Sequence, residues 1–203
     1  MFPRLIEDLV KEFGYFPGIG PKTAQKFVSF LLKKTPEELA RLSQKIKDLN
    51  QIKACSLCGN FAEKEVCYIC EDPKRDHSLI CLVANPLDLE IIEKIGEYKG
   101  VYEILGGLID TTHGIKPEHL NINRFFNRLH DKKNRIREVI FALSPNLEGE
   151  TTILYLLDLI KQDKNISKDV KLSRLAKGLS SGMELEYADS LTLSEAFKER
   201  KSL

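Results

Sequence analysis

The chain has 203 residues, 42% hydrophobic and 30% charged, with a formal net charge of +1. That length holds one large domain plus a small one, or one compact domain with appendages. The near-zero charge excludes global electrostatic steering toward any partner. The start MFPRLIEDLVKEFG has no basic stretch followed by an unbroken apolar run, and no window holds 18 apolar residues. Neither a secretory leader nor a membrane span is therefore expected, and the expected location is cytoplasmic.

Phe2, Leu5, Ile6, Leu9, Val10 and Phe13 recur at helical spacing, and Gly14 stops that helix. The turn FPGIGP follows, with Pro21 fitting the first turn of the next helix, where its missing N–H costs nothing. Ala24, Phe27, Val28, Leu31 and Leu32 form that second helix's apolar side. A third start is TPEEL, with Thr35 as cap and Glu38 closing a capping box. Leu39, Leu42, Ile46 and Leu49 are expected to be its buried stripe. This end is locally basic: residues 1–54 carry ten Lys/Arg against six Asp/Glu, which suggests one face aimed at an anionic partner.

PGIG between two amphipathic helices is the pattern of a helix-hairpin-helix. Its glycines permit positive φ and strip side chains from the turn surface. Backbone N–H groups beside a helix N-terminus then make an anion site, and phosphate is the natural anion. Gly18, Gly20, Lys22 and Lys26 are the candidate DNA-binding residues, the two lysines lying four apart on one helix face. Such contacts read the DNA backbone and not its bases. An ordinary tight connection within a helical bundle is the competing reading.

Cys55, Cys58, Cys67 and Cys70 form CxxC-x8-CxxC. Two intervening residues let both thiolates of each knuckle face one ion, and four thiolates make a closed tetrahedral shell suited to one structural Zn²⁺. In a reducing compartment this outweighs two disulfides, and an iron–sulfur cluster is the other alternative. Cys81 stands alone inside a strand and reads as a core residue.

From residue 78 strands and helices alternate. SLICLVA, GVYEILG, REVIFALS and VKLSRLA read as strands, PLDLEIIEKIG and EGETTILYLLDLIK as helices, and LTLSEAFKERK as a last short helix. That order predicts a mostly parallel sheet with covered faces. The strand ends LVANP and SPNLEGE resemble the Toprim fold of topoisomerases, primases and small nucleases. In active Toprim enzymes a glutamate and a D-x-D pair hold Mg²⁺ there. Here those positions are Ala84, Ser144 and Asn146, leaving only Glu148 and Glu150.

Taken in order, FPGIGPKTAQK, the four-cysteine finger, NPLDL, GGLIDTTHGIKPEHL, EVIFALSPNLEGE and LEYADSLTL resemble the bacterial RecR recombination mediator family over the whole chain. The departures are modest: Ser181–Gly182–Met183 replaces a glycine-rich turn, Ser144 stands where asparagine is usual, and Ala84 replaces a glutamate. The resemblance implies a multidomain α+β protein. It would comprise a helix-hairpin-helix region (1–53), a zinc finger (54–77), a Toprim domain (78–174) and a C-terminal assembly region (175–203). It implies a non-catalytic protein that binds DNA independently of sequence, as a homo-oligomer, a tetrameric ring or a dimer. It would act with RecO and RecF to load RecA on gapped DNA, associated with the nucleoid during repair. Glu148 and Glu150 would offer an acidic surface to a partner. A metal-dependent Toprim nuclease or primase is the alternative.

Overall fold

A computed structural model of the chain describes residues 2–131, 133–166 and 169–200. It divides into two compact units, residues 1–52 and 53–203.

The first unit is helical: α1 (Arg4–Gly14), α2 (Pro21–Leu31) and α3 (Pro36–Asp48). Pro21 sits in the first turn of α2, and Thr35 and Glu38 form the expected capping box on α3. Phe13 anchors the hairpin, meeting Phe16 and Phe27 edge to face at ring-centre distances of 5.7 and 5.8 Å. Among the unit's described residues only Ala24 and Val28 are buried. The expected buried stripe of α3 is overturned, for Leu39, Leu42, Ile46 and Leu49 all lie exposed. Helical periodicity marks an apolar face, but the described residues of this unit do not cover it.

The second unit opens with a small antiparallel hairpin, β1 (Lys53–Ala54) and β2 (Phe61–Ala62), and a one-turn helix α4 (Tyr68–Glu71). The elements that follow are β3 (Asp76–Val83), α5 (Pro86–Ile95), β4 (Gly100–Ile104), α6 (Ile122–His130), β5 (Glu138–Phe141), α7 (Leu147–Gln162), β6 (Lys171–Arg174) and α8 (Ser190–Lys198). The four strands β3–β6 form one sheet in the order β4-β3-β5-β6, parallel throughout. Every residue of β4 is buried and Ile80–Val83 of β3 are buried in series, as expected for strands covered on both faces. Cys81 is among them, a core residue as its sequence position suggests. Helix α5 starts on the Asn85–Asp88 capping box and ends at Gly96, whose φ is +74°. Helix α6 is an element that the strand–helix pattern does not name; it packs Ile122 and Phe125 into the core. Among the described residues no helix is long and apolar enough to cross a membrane.

Candidate nucleic-acid interface and metal centre

The turn between α1 and α2 leaves backbone donors free. Phe16 N–H donates to Phe13 O and Ile19 N–H to Phe16 O, while Thr23 and Ala24 N–H both donate to Gly20 O. The N–H groups of Gly18, Gly20 and Lys22 have no partner among the described residues. Gly18 adopts φ +76°, a left-handed conformation that favours glycine. Gly20 is different. Its φ is −84°, and a Cβ there would meet nothing within 4 Å. No internal constraint asks for glycine at Gly20, whereas close approach of an external group would. Open donors in the turn leading into the N-terminus of α2 are an arrangement that could hold an anion.

Lys22 and Lys26 project from the adjoining helix face and line an open groove of about 570 Å³ with Gln25, Ser29 and Lys33. No carboxylate of a described residue lines it. Lys33 is a residue that the sequence reading misses. Its signal is its place eleven residues after Lys22, close to three helical turns.

The metal centre is built from two knuckles. The hairpin β1–β2 carries Cys55 and Cys58, closed by the Cys55 N–H bond to Asn60 O at 2.7 Å and the Gly59 N–H bond to Cys55 O at 2.9 Å. Cys67 caps α4, which carries Cys70. The four sulfurs lie within 4.8 Å of one another and all four cysteines are buried. The Cys58 and Cys67 sulfurs are 3.6 Å apart, far beyond a disulfide bond, and all five cysteines are free. Backbone N–H groups of Asn60 and Cys67 donate to the sulfurs of Cys58 and Cys55. Such bonds favour thiolates. Proton sharing among the crowded sulfurs, chiefly between Cys58 and Cys67, pushes the Cys58 thiol up and holds Cys67 down. Four buried sulfurs so close together supply the soft, closed donor set that Zn²⁺ takes, and the site is a four-cysteine zinc site.

The first knuckle is tied to the sheet. Cys58 O accepts from Ile104 N at 2.9 Å and from the Arg124 guanidinium at 3.1 Å. The finger thereby covers the end of edge strand β4. A Cβ on Gly59 would lie 2.3 Å from Arg124. Arg124 also donates to Glu103 at 2.7 Å, and Arg128 reaches the same carboxylate at 3.4 Å. Glu103 is wholly buried, and desolvation outweighs both arginines, raising its pKa to about 6. Because the folded state binds this proton more tightly than the unfolded chain does, the contribution is present at low pH and lost as pH rises through about 6. Between pH 5 and pH 7.5 the zinc-loaded protein is expected to lose about 1 kcal/mol that Glu103→Gln does not lose. Denaturant melts at both pH values check this, and parallel slopes for the two proteins would contradict it.

At the strand ends, positions 84, 144 and 146 carry no carboxylate. Ala84, just past β3, is buried, and its carbonyl accepts from Gly106 N. Ser144 lies exposed after β5, and the Asn146 side chain accepts from Gly149 N as the cap of α7. Glu150 lies in a cavity of about 700 Å³, with Lys177 Nζ 2.5 Å and Arg174 Nη1 3.5 Å from its carboxylate oxygens. Its charge is balanced within the chain. Glu148, half-buried in the first turn of α7, forms no ion pair with a described residue. His113 is a loop residue paired to Asp110 at 2.6 Å.

Four family models match in order: the RecR helix-hairpin-helix over residues 6–49, the RecR four-cysteine zinc finger domain over 52–72, the Toprim domain over 78–176, and the RecR C-terminal region over 178–201. The chain is 41% identical over 202 residues to the recombination protein RecR of Tropheryma whipplei (strain Twist), covering 99% of this chain and 98% of that one. It is 43% identical over 199 residues to the RecR of Bifidobacterium animalis subsp. lactis, covering 98% and 96%. To that of Staphylococcus haemolyticus it is 41% identical over 203 residues, covering 100% and 99%.

Proposed function

Because the chain belongs to the RecR family, we propose that it is a DNA-binding mediator of recombinational repair with no catalytic activity of its own. The observation that carries this reading is the exposed turn where the N–H groups of Gly18, Gly20 and Lys22, unpartnered among the described residues, lie beside the Lys22 and Lys26 side chains. These groups would hold backbone phosphates of any sequence. At the Toprim strand ends, Ala84, Ser144 and Asn146 supply no oxyanion to hold Mg²⁺ or polarise a phosphodiester. A grip without a reacting centre suits a protein that holds DNA for others.

The same reading makes the protein a ring-like tetramer or a dimer acting in the cytoplasm, at the nucleoid during repair. Apolar residues exposed at both ends of the chain support assembly: Leu42, Ile46 and Leu49 toward one end, and Tyr187, Leu191 and Phe197 toward the other. In a closed assembly, weak contacts from each subunit add through effective concentration. Residues 1–53 would bind DNA and residues 175–203 would join copies, with the finger (54–77) and Toprim domain (78–174) between them. RecO and RecF would be the partners in loading RecA onto gapped DNA coated by single-strand-binding protein. Glu148, which pairs with no described residue, is the stronger of the two acids for a basic partner surface, with Glu150 beside it.

Incubation with DNA and nucleotides in Mg²⁺ or Mn²⁺ tests the non-catalytic reading. DNA and nucleotides are expected to be recovered unchanged. Robust turnover that Glu148→Ala abolishes would establish the Toprim nuclease or primase instead.

A further inference from the structure

The groove beside the phosphate turn is not purely basic. Phe2 and Phe30 line it together with Lys22, Lys26, Ser29 and Lys33. The two rings stand 53% and 58% exposed, too open to belong to the hairpin's own packing. Along α2 and the tight turn that extends it, positions 22, 26, 29, 30 and 33 fall within an arc of about 100°, over a length of about 16 Å. The Phe30 ring is held in place, with Lys34 Nζ 5.0 Å from its centre and that ammonium bonded to Glu38 Oε1 at 2.9 Å.

Three ammonium groups and no carboxylate account for a polyanionic backbone. They do not account for exposed phenyl rings among them. A phenyl face has nothing to offer a phosphate, but it stacks on a nucleobase whatever that base is. Bases within a duplex are already stacked and paired, whereas those of a single strand are free to turn onto a ring. We infer that this groove is a stacking platform for single-stranded DNA, with Lys22, Lys26 and Lys33 tracking the backbone and Phe30, aided by Phe2, taking an unpaired base. The inference rests on the reading of the turn as a DNA contact. It adds a preference: the N-terminal unit grips the unpaired part of gapped DNA more tightly than the paired part.

The test uses the zinc-loaded full chain and two fluorescein-labelled probes of equal length, an oligo-dT and a mixed-sequence duplex, read by anisotropy. Phe30→Leu keeps the apolar bulk and removes the aromatic face. It is expected to weaken oligo-dT binding roughly fivefold or more while leaving the duplex within about twofold, since a stacked base contributes a factor of about five or more. Phe30→Tyr is expected to retain wild-type binding of both probes. Light scattering on the same samples is expected to show unchanged mass. Equal effects of Phe30→Leu on both probes, or none on either, would overturn the platform. So would a fall in solution mass, which would place the ring in a contact between copies. Lys22→Glu with Lys26→Glu separates the two levels. If that variant loses both probes while Phe30→Leu loses neither, only the platform fails; if it loses neither probe, the DNA site fails with it.

Discussion

Removing the metal is expected to unfold the finger and uncover the sheet edge it protects. Residues 53–72 bury little apolar side chain beyond the cysteines, Ala62 and Ile69: Val66 is only partly covered, and Leu57, Phe61 and Tyr68 lie exposed. Their order rests on the four sulfurs, and a structural zinc contributes about 10–16 kcal/mol of apparent binding energy in isolated fingers. Once the knuckle opens, the Ile104 N–H and the Arg124 guanidinium both lose Cys58 O as acceptor. The exposed edge of β4 then becomes a template for pairing with other chains. Cys58→Ser, or treatment with a strong chelator, is expected to release one equivalent of zinc per chain, to lower the melting temperature by more than about 10 °C, and to bring aggregation on warming. Zinc release measured by a colorimetric chelator alongside a thermal melt checks this. A chelated protein that melts as the loaded one does would show that the finger folds without its ion.

Reversing two charges at the turn is expected to have the second largest effect. Neither Lys22 nor Lys26 takes part in an ion pair or side-chain hydrogen bond among the described residues, so their loss leaves no internal partner stranded. Lys22→Glu with Lys26→Glu should leave the fold and the zinc content intact. It should weaken DNA binding at least about a hundredfold at about 0.1 M salt, because each change replaces attraction to a phosphate by repulsion, about 1 kcal/mol or more per charge in water. Gly20→Ala is the sharper companion. A Cβ there meets nothing within 4 Å in the free protein, so stability should hold while the approach of a phosphate to the Gly20 and Lys22 N–H groups is hindered. A circular dichroism melt beside the binding isotherm separates the two effects.

The features legible in the sequence are those whose cause is local. CxxC spacing, the Thr35–Glu38 box, and proline at the start of α2 each act within a few residues, and each stands in the structure as read. The continuous apolar run SLICLVA likewise shows a strand covered on both faces. What is not legible depends on residues far apart. Glu103 sits within GVYEILG like any surface acid, and its arginines come from 21 and 25 residues further along. Only the folded sheet shows that the carboxylate is sealed beneath the finger. The apolar stripe of α3 is visible as a stripe, but periodicity does not say whether this chain or another covers it. Helix α6 does carry a signal, with Ile122, Phe125, Phe126 and Leu129 at helical spacing, but it follows a loop rich in glycine and polar residues that hides its start. Glu148 and Glu150 read as one acidic surface until Lys177 and Arg174, brought in by the end of β6, neutralise the second.

The salt dependence of DNA affinity tests most directly whether this turn grips the backbone. Plotted as log affinity against log salt, on two unrelated DNA sequences, the wild-type lines are expected to be steep and to coincide. Lys22→Glu with Lys26→Glu should flatten both by about 1.8 or more per binding subunit, about 0.9 for each phosphate no longer neutralised. Slopes that stay unchanged in the variant, or wild-type affinities that differ widely between the two sequences, would contradict a backbone grip at residues 18–26.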